Sequence, residues 1–209
     1  MRLTTLEGQY QCIVIDPPWF YWLRNQDKTH RNRINYKPMH IEEILSLPVP
    51  DLSDAYGNPK RERTGSVLWL WYTNNHMVEA AQCLQTWGFE LKTILTWEKV
   101  TKDGTKTHLG VGHWLRNSTE HCALAVRGNV KAFSGRTLTN ESTILHSPRR
   151  EHSRKPESFY QLVDKLCPDI TKLEMFARES RDGWDCWGDQ ADLFDQLGAE
   201  INNDTSLSA

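Results

Sequence analysis

Six consecutive apolar residues, Val67-Leu68-Trp69-Leu70-Trp71-Tyr72, constrain the fold more than any other segment. The run is the longest of its kind and is far too short to cross a bilayer. It also lacks the polar alternation of a strand with one face in water. It therefore predicts a central strand buried on both faces, which needs a sheet covered on both sides. Strand-like and helix-like segments alternate around it, the pattern of an α/β fold with a mostly parallel central sheet. Strands are expected at Cys12–Ile15, Phe89–Trp97, Cys122–Val126 and Leu173–Ala177. Helices are expected at Ile41–Leu47, after Thr73 or Asn74 with Met77, Ala80, Ala81 and Leu84 inward, and after Pro156 with Phe159, Leu162, Val163 and Leu166 inward. Loops are expected over 19–40, 49–65 and 98–119, and a final amphipathic piece over Ala191–Leu197.

At 209 residues the chain suits one domain over 1–209, with a core of about 10–190 and an acidic tail of about 198–209. The amino-terminal residues hold no apolar signal segment, and five widely spaced cysteines include no C-x-x-C pair. A soluble, cytoplasmic protein with reduced thiols, no membrane association and no zinc clip is expected. The 25 Lys+Arg against 27 Asp+Glu exclude a protein that coats nucleic acid by overall charge. Nine Trp, six Tyr and six Phe supply unusual ring area, most of it expected in the core.

The segment most suggestive of chemistry is Ile15-Asp16-Pro17-Pro18-Trp19. It ends a buried strand, and open α/β sheets bind ligands beyond the carboxyl ends of their strands. Two prolines stop sheet pairing and stiffen the turn. A planar base could stack on Trp19 while its exocyclic amine donates to the Asp16 carboxylate and the Pro17 carbonyl. Adenine N6 is a poor nucleophile because its lone pair is delocalised into the ring. Two acceptors would localise that pair for attack on an activated methyl group, with positioning supplying much of the acceleration.

Asp16-Pro17-Pro18-Trp19 resembles the signature of the N6-adenine methyltransferases of the MT-A seventy-kilodalton family, related to the mRNA adenosine methyltransferase catalytic subunit. Further segments resemble that family in order. They are Tyr36-Lys-Pro-Met, Val67-Leu-Trp-Leu-Trp, Trp87-Gly-Phe and Thr96-Trp97-Glu-Lys, then Gly112-His113-Trp114-Leu-Arg-Asn117 with Glu120-His121-Cys. His152-Ser-Arg-Lys155-Pro156, Leu173-Glu174-Met-Phe-Ala-Arg178 and Trp184-Asp-Cys-Trp187-Gly188-Asp189-Gln190 complete the set. The resemblance implies a Rossmann-like methyltransferase domain of permuted order, with the catalytic strand first. It implies S-adenosyl-L-methionine as donor and S-adenosyl-L-homocysteine as product, with no metal, because the sulfonium already activates the methyl group. It assigns catalysis to Asp16, Pro17, Pro18 and Trp19. It assigns donor contacts to Asp16, Pro17, Tyr36, Lys155, Glu174, Arg178, Asp189 and Gln190, and target contacts to Trp19, Glu120, His121 and Lys155. Two departures stand out. The acidic segment that often precedes the motif is missing, and Asp189 replaces a commoner Asn.

Basic loops bear on the substrate. Arg24, Lys28, Arg31, Arg33 and Lys37 fall in one loop, and Arg149, Arg150, Arg154 and Lys155 in another. A basic rim around an acidic site suits a phosphate backbone. The target adenine would have to be flipped or single-stranded. Compact members of the family are mostly bacterial or phage enzymes, which favours DNA; RNA is the competitor. An inactive scaffold for a partner chain and a homo- or hetero-oligomer are further readings.

Overall fold

The computed structural model describes residues 10–21, 36–53, 64–112, 114–130, 140–150 and 154–195. The basic residues Arg24 to Arg33, the end of the amphipathic piece and the acidic tail lie outside them. Within them the strands are β1 (Cys12–Ile15), β2 (Thr64–Tyr72), β3 (Glu90–Val100), β4 (Thr119–Asn129), β5 (Ile144–Pro148), β6 (Lys172–Met175) and β7 (Asp185–Trp187). They form one sheet in the order β5-β3-β4-β2-β1-β6-β7. Parallel ladders join β1 to β2 and β6, β6 to β7, and β3 to β5. β4 runs antiparallel to both neighbours, β2 and β3. The doubly apolar run lies in β2, mid-sheet, as its pattern requires.

Alternation along the strands divides the core into two layers. Ile13, Ile15, Leu68, Leu70, Ala123, Ala125, Leu173 and Met175 face one side. They pack on α1 (Ile41–Leu45), α2 (Val49–Leu52) and α3 (Met77–Trp87). Cys12, Val14, Val67, Trp69, Trp71, Leu95, Trp97 and Cys122 face the other side. There α4 (Glu157–Leu166) buries Phe159, Tyr160, Leu162, Val163 and Leu166 against them. All five cysteines are free thiols. No described helix is long and apolar enough to cross a membrane.

Several boundaries differ from expectation for identifiable reasons. β3 and β4 extend into Glu98-Lys99 and Thr119-Glu120, polar residues that ladder bonds hold in strand geometry. The short β5 and β7 owe their form to the established neighbours β3 and β6. The start of the 49–65 segment is helical, begun by prolines at its amino end. The buried stripe of α3 is Ala80, Cys83, Leu84 and Trp87, not Met77 and Ala81; Met77 is exposed. Gly88 ends that helix at φ 72°, its N–H reaching the Gln85 and Leu84 carbonyls. β6 stops at Met175 because Phe176 turns to φ 62°.

Candidate active site

One cleft of about 1750 Å³ opens at the carboxyl ends of the parallel strands. Sites for a single small molecule run roughly 300–1,000 Å³, so this one has room for two ligands side by side. Its floor is a chain of four alternating charges. Asp16 follows β1 on the α4 side of the sheet. Lys155, just before α4, places Nζ 2.8 Å from Asp16 Oδ2 and 2.9 Å from Glu120 Oε2. Lys99 Nζ lies 2.5 Å from Glu120 Oε1. Strand parity explains the assembly: Glu120 and Lys99 share a face with Cys122 and Trp97, where α4 packs. Lys155 is only 7% exposed and sits 5.0 Å over the Trp71 ring.

Burial and charge set the protonation of this chain. Burial lifts the Asp16 carboxyl above its ordinary value; Lys155 pulls it back in part, and Glu120 adds to the rise. Burial would also raise Glu120, but Lys155 and Lys99 outweigh it and hold it at about 2. Burial disfavours the charged Lys155, yet Asp16 and Glu120 more than compensate and raise it. Lys155 is therefore a fixed cation, and Glu120 a fixed anion with both oxygens engaged.

The motif turn is braced from several sides. Trp19 N–H donates to the Pro17 carbonyl at 2.8 Å, and Met39 N–H to the Pro18 carbonyl at 2.8 Å. The Trp19 indole N–H donates to the Trp71 carbonyl at 3.1 Å. His76 stacks on Trp19 at 5.2 Å and bonds the Phe20 carbonyl and Thr73 through its two ring nitrogens. His76 has no cue in the sequence beyond its place after β2. Trp19 is only 4% exposed, so an open indole face for a base is not what the fold provides. The ring holds the turn by packing instead.

Tyr36, Arg178, Asp189 and Gln190 line the same cleft as Asp16, Pro17, Pro18, Trp19, Glu120 and Lys155. The Arg178 guanidinium lies 4.9 Å over the Tyr36 ring. The ends of β6 and β7 are pinned by the Ala177 N–H to the Trp187 carbonyl at 3.0 Å. Gly188 packs tightly here: a Cβ would stand 3.0 Å from Phe176 Cα and 3.1 Å from the Ala177 oxygen. Two expected contacts fall elsewhere. Glu174 is 6% exposed beneath the cleft, with Oε1 accepting from Tyr160 at 2.6 Å and Oε2 without a partner. Burial, opposed by the Tyr160 hydrogen bond, raises it to about 7. His121, next to Glu120 on β4, points to the opposite face and bonds Thr96 and Asn74. Adjacent strand residues cannot share a face, so the Glu120-His121 pair is split.

The second basic stretch is largely neutralised. Arg150, Arg154 and Arg181 pair with Glu157 and Glu179, and Lys155 pairs with the two floor carboxylates. Lys37, Arg116 and Arg149 are exposed on the cleft and face no carboxylate partner among the described residues. Lys99 is the floor cation to which the sequence assigns no role. Its spacing from Trp97, two residues along a strand, would have placed it on the site face.

One mostly parallel seven-stranded sheet covered on both faces, with a cleft at the carboxyl ends of its parallel strands, is the architecture of a Rossmann-like methyltransferase domain. Within that class the chain belongs to the MT-A70 family, whose model matches residues 10–190. It is 30% identical over 186 residues to a probable N(6)-adenosine-methyltransferase MT-A70-like of Oryza sativa subsp. japonica, covering 88% of this chain and 23% of that protein. It is 27% identical over 197 residues to the N(6)-adenosine-methyltransferase catalytic subunit METTL3 of Homo sapiens, covering 93% of this chain and 30% of that protein. It is also 27% identical to the type II methyltransferase M.MunI of Mycoplasma sp, covering 86% of this chain and 77% of that protein. The chain thus spans about a quarter of the length of the adenosine methyltransferases it matches.

Proposed function

We propose that this chain transfers a methyl group from S-adenosyl-L-methionine to the exocyclic N6 amine of adenine in nucleic acid, DNA ahead of RNA. The observation that carries the reading is the Asp16–Lys155 pair, 2.8 Å apart on the floor of a cleft large enough for donor and target. The relatives named as N(6)-adenosine methyltransferases support the target atom. The relative named as a type II methyltransferase, 77% of which the match covers, supports DNA ahead of RNA.

The residues present fit the donor. Asp16 offers a carboxylate to its amino group, while Arg178, Asp189 and Gln190 offer polar groups to its ribose at the β6 and β7 ends. The Gly188–Phe176 approach keeps that wall close to the backbone. When bound, the donor supplies a sulfonium-activated methyl group. Asp16 Oδ2 is engaged by Lys155, which leaves Oδ1 to accept from the adenine amine. The Pro17 carbonyl accepts from Trp19 N–H on one lone pair and has a second for the same amine. Burial keeps Asp16 more basic than an ordinary carboxylate, so it can hold the proton the amine releases as the new bond forms. Lys155 restrains Asp16 in one orientation, and Glu120 and Lys99 restrain Lys155.

The test is incubation with S-adenosyl-L-methionine and a mixed pool of DNA and RNA, followed by mass spectrometry of the nucleosides. N6-methyladenine in the DNA fraction is expected, with turnover abolished in Asp16→Ala while donor binding is weakened and folding retained. Full activity in Asp16→Ala refutes the assignment. An inactive scaffold would give no methylated nucleoside from wild type and no donor binding.

A further inference from the structure

Among the described residues most large apolar side chains are buried, but Trp114 is 98% exposed and Leu115 83% exposed. Both line the cleft. They stand in the connection between β3 and β4, whose two described arms pack closely. A Cβ on Gly112 would lie 1.8 Å from the Leu115 oxygen, and one on Gly110 would lie 2.3 Å from the Asn117 oxygen. Only glycine allows the two arms so close. Gly110 N–H donates to the Asn117 carbonyl at 2.8 Å. The Arg116 guanidinium binds the Gly110 and Leu109 carbonyls, and Asn117 Nδ2 binds the Val111 carbonyl at 3.1 Å. Asn117 Oδ1 accepts from Asn74, whose own oxygen is held by His121 at 2.7 Å. Hydrogen bonds from the sheet thus fix the arms of the connection that carries this exposed indole.

We propose that Trp114 is a stacking platform for the base that neighbours the target adenine. The inference rests on the nucleic-acid reading above and identifies where the strand enters. The charge in the cleft selects this occupant: Arg116, Arg149 and Lys37 line it, exposed and without a carboxylate partner among the described residues. An exposed indole in a cleft that also presents cations is the combination that grips unpaired nucleic acid, with phosphates on the cations and a base on the ring. The buried Trp19 cannot serve this purpose, so this connection supplies the aromatic surface that the motif turn lacks. Its exposure also means that replacement leaves the core untouched.

The experiment measures binding of fluorescently labelled, mixed-sequence single-stranded DNA, and its RNA counterpart, to wild type, Trp114→Ala and Trp114→Phe. S-adenosyl-L-methionine affinity, melting temperature and gel-filtration elution are recorded for each. Trp114→Ala is expected to weaken strand binding about 5- to 150-fold, the worth of one stacked base. Trp114→Phe keeps most of the affinity, and donor affinity and melting are unchanged. Wild-type strand binding by Trp114→Ala overturns the platform while leaving the methyltransferase reading intact. A wild-type dimer that Trp114→Ala dissociates makes the connection a protein contact and overturns the platform too, as does loss of donor affinity. Absence of strand binding and methylation in wild type removes the proposed function itself.

Discussion

At the scale of single residues, the floor of the cleft is held by compensation between charges. Lys155 is the hinge of that compensation, since it touches both Asp16 and Glu120. Lys155→Met leaves two carboxylates crowded and without their common cation. Removing one partner of a buried pair costs about 3–5 kcal/mol, so a urea titration should show a loss of that order. The same variant should lose methyl transfer, because Asp16 is no longer oriented. Glu174 offers a pH test. It stays neutral in the folded chain up to about 7, above its ordinary 4.5. Between those values the folded state binds the extra proton. Its contribution is therefore fully present below about pH 4.5 and is lost as pH rises toward 7. The loss is on the order of 3 kcal/mol by the size of the shift. Glu174→Gln should remove this component, read as the difference between the two proteins' stability–pH profiles. Asp16 adds a slope of the same sign and His121 one of the opposite sign. Only the difference between variant and wild type isolates Glu174.

At the scale of elements, the site depends on how strand ends are stopped. β1 is stopped by two prolines, and β6 by the positive φ of Phe176, an unusual conformation for a large side chain. That turn is supported by Gly188, which passes within van der Waals reach of the Phe176 backbone. Gly188→Ala should destabilise the fold by about 1–3 kcal/mol, since backbone and not a flexible side chain meets the new methyl. Equilibrium dialysis should show weakened donor binding in the same variant, because Asp189 and Gln190 follow directly. The motif Trp184-Asp-Cys-Trp187-Gly188-Asp189-Gln190 was visible in the chain, but not its form. β7 has too few residues to show a strand pattern and gains one only from its ladder with β6. The ends of β3 and β4 escaped notice for the same reason: Lys99 and Glu120 look like loop residues until paired strands hold them.

At the scale of the whole molecule, a chain of net charge −2 presents local positive charge at one end of its sheet. Lys37, Arg116 and Arg149 suffice for a few phosphate contacts. With about three such contacts to a single strand, log K should fall with log salt at a slope of about −2. Arg149→Gln should reduce that slope by up to about 1, read from anisotropy titrations across a salt series. A much steeper slope would bring in the arginines and lysines of residues 24–33. The strand order sets β1, β6 and β7 side by side, so the motif turn after β1 and the ends of the last two described strands line one cleft with Lys155 from the turn before α4.

What the amino-acid order decided alone was the kind of fold and the chemistry within reach. A doubly apolar strand demands a covered sheet, and a carboxylate on a turn stiffened by two prolines stands at the strand end where open α/β sheets bind ligands. Those are local properties, set by residues within a few positions of one another. Only the tertiary structure decided which way each side chain faces. Strand register placed Glu120 on the floor and turned its neighbour His121 away, buried the indole of Trp19, and left that of Trp114 in water. It also spent most of the arginines near Lys155 on neighbouring carboxylates. Strand parity fixes locally that neighbours such as Glu120 and His121 face opposite ways, but which face meets the cleft, and which charges pair, depends on contacts between residues far apart in the chain.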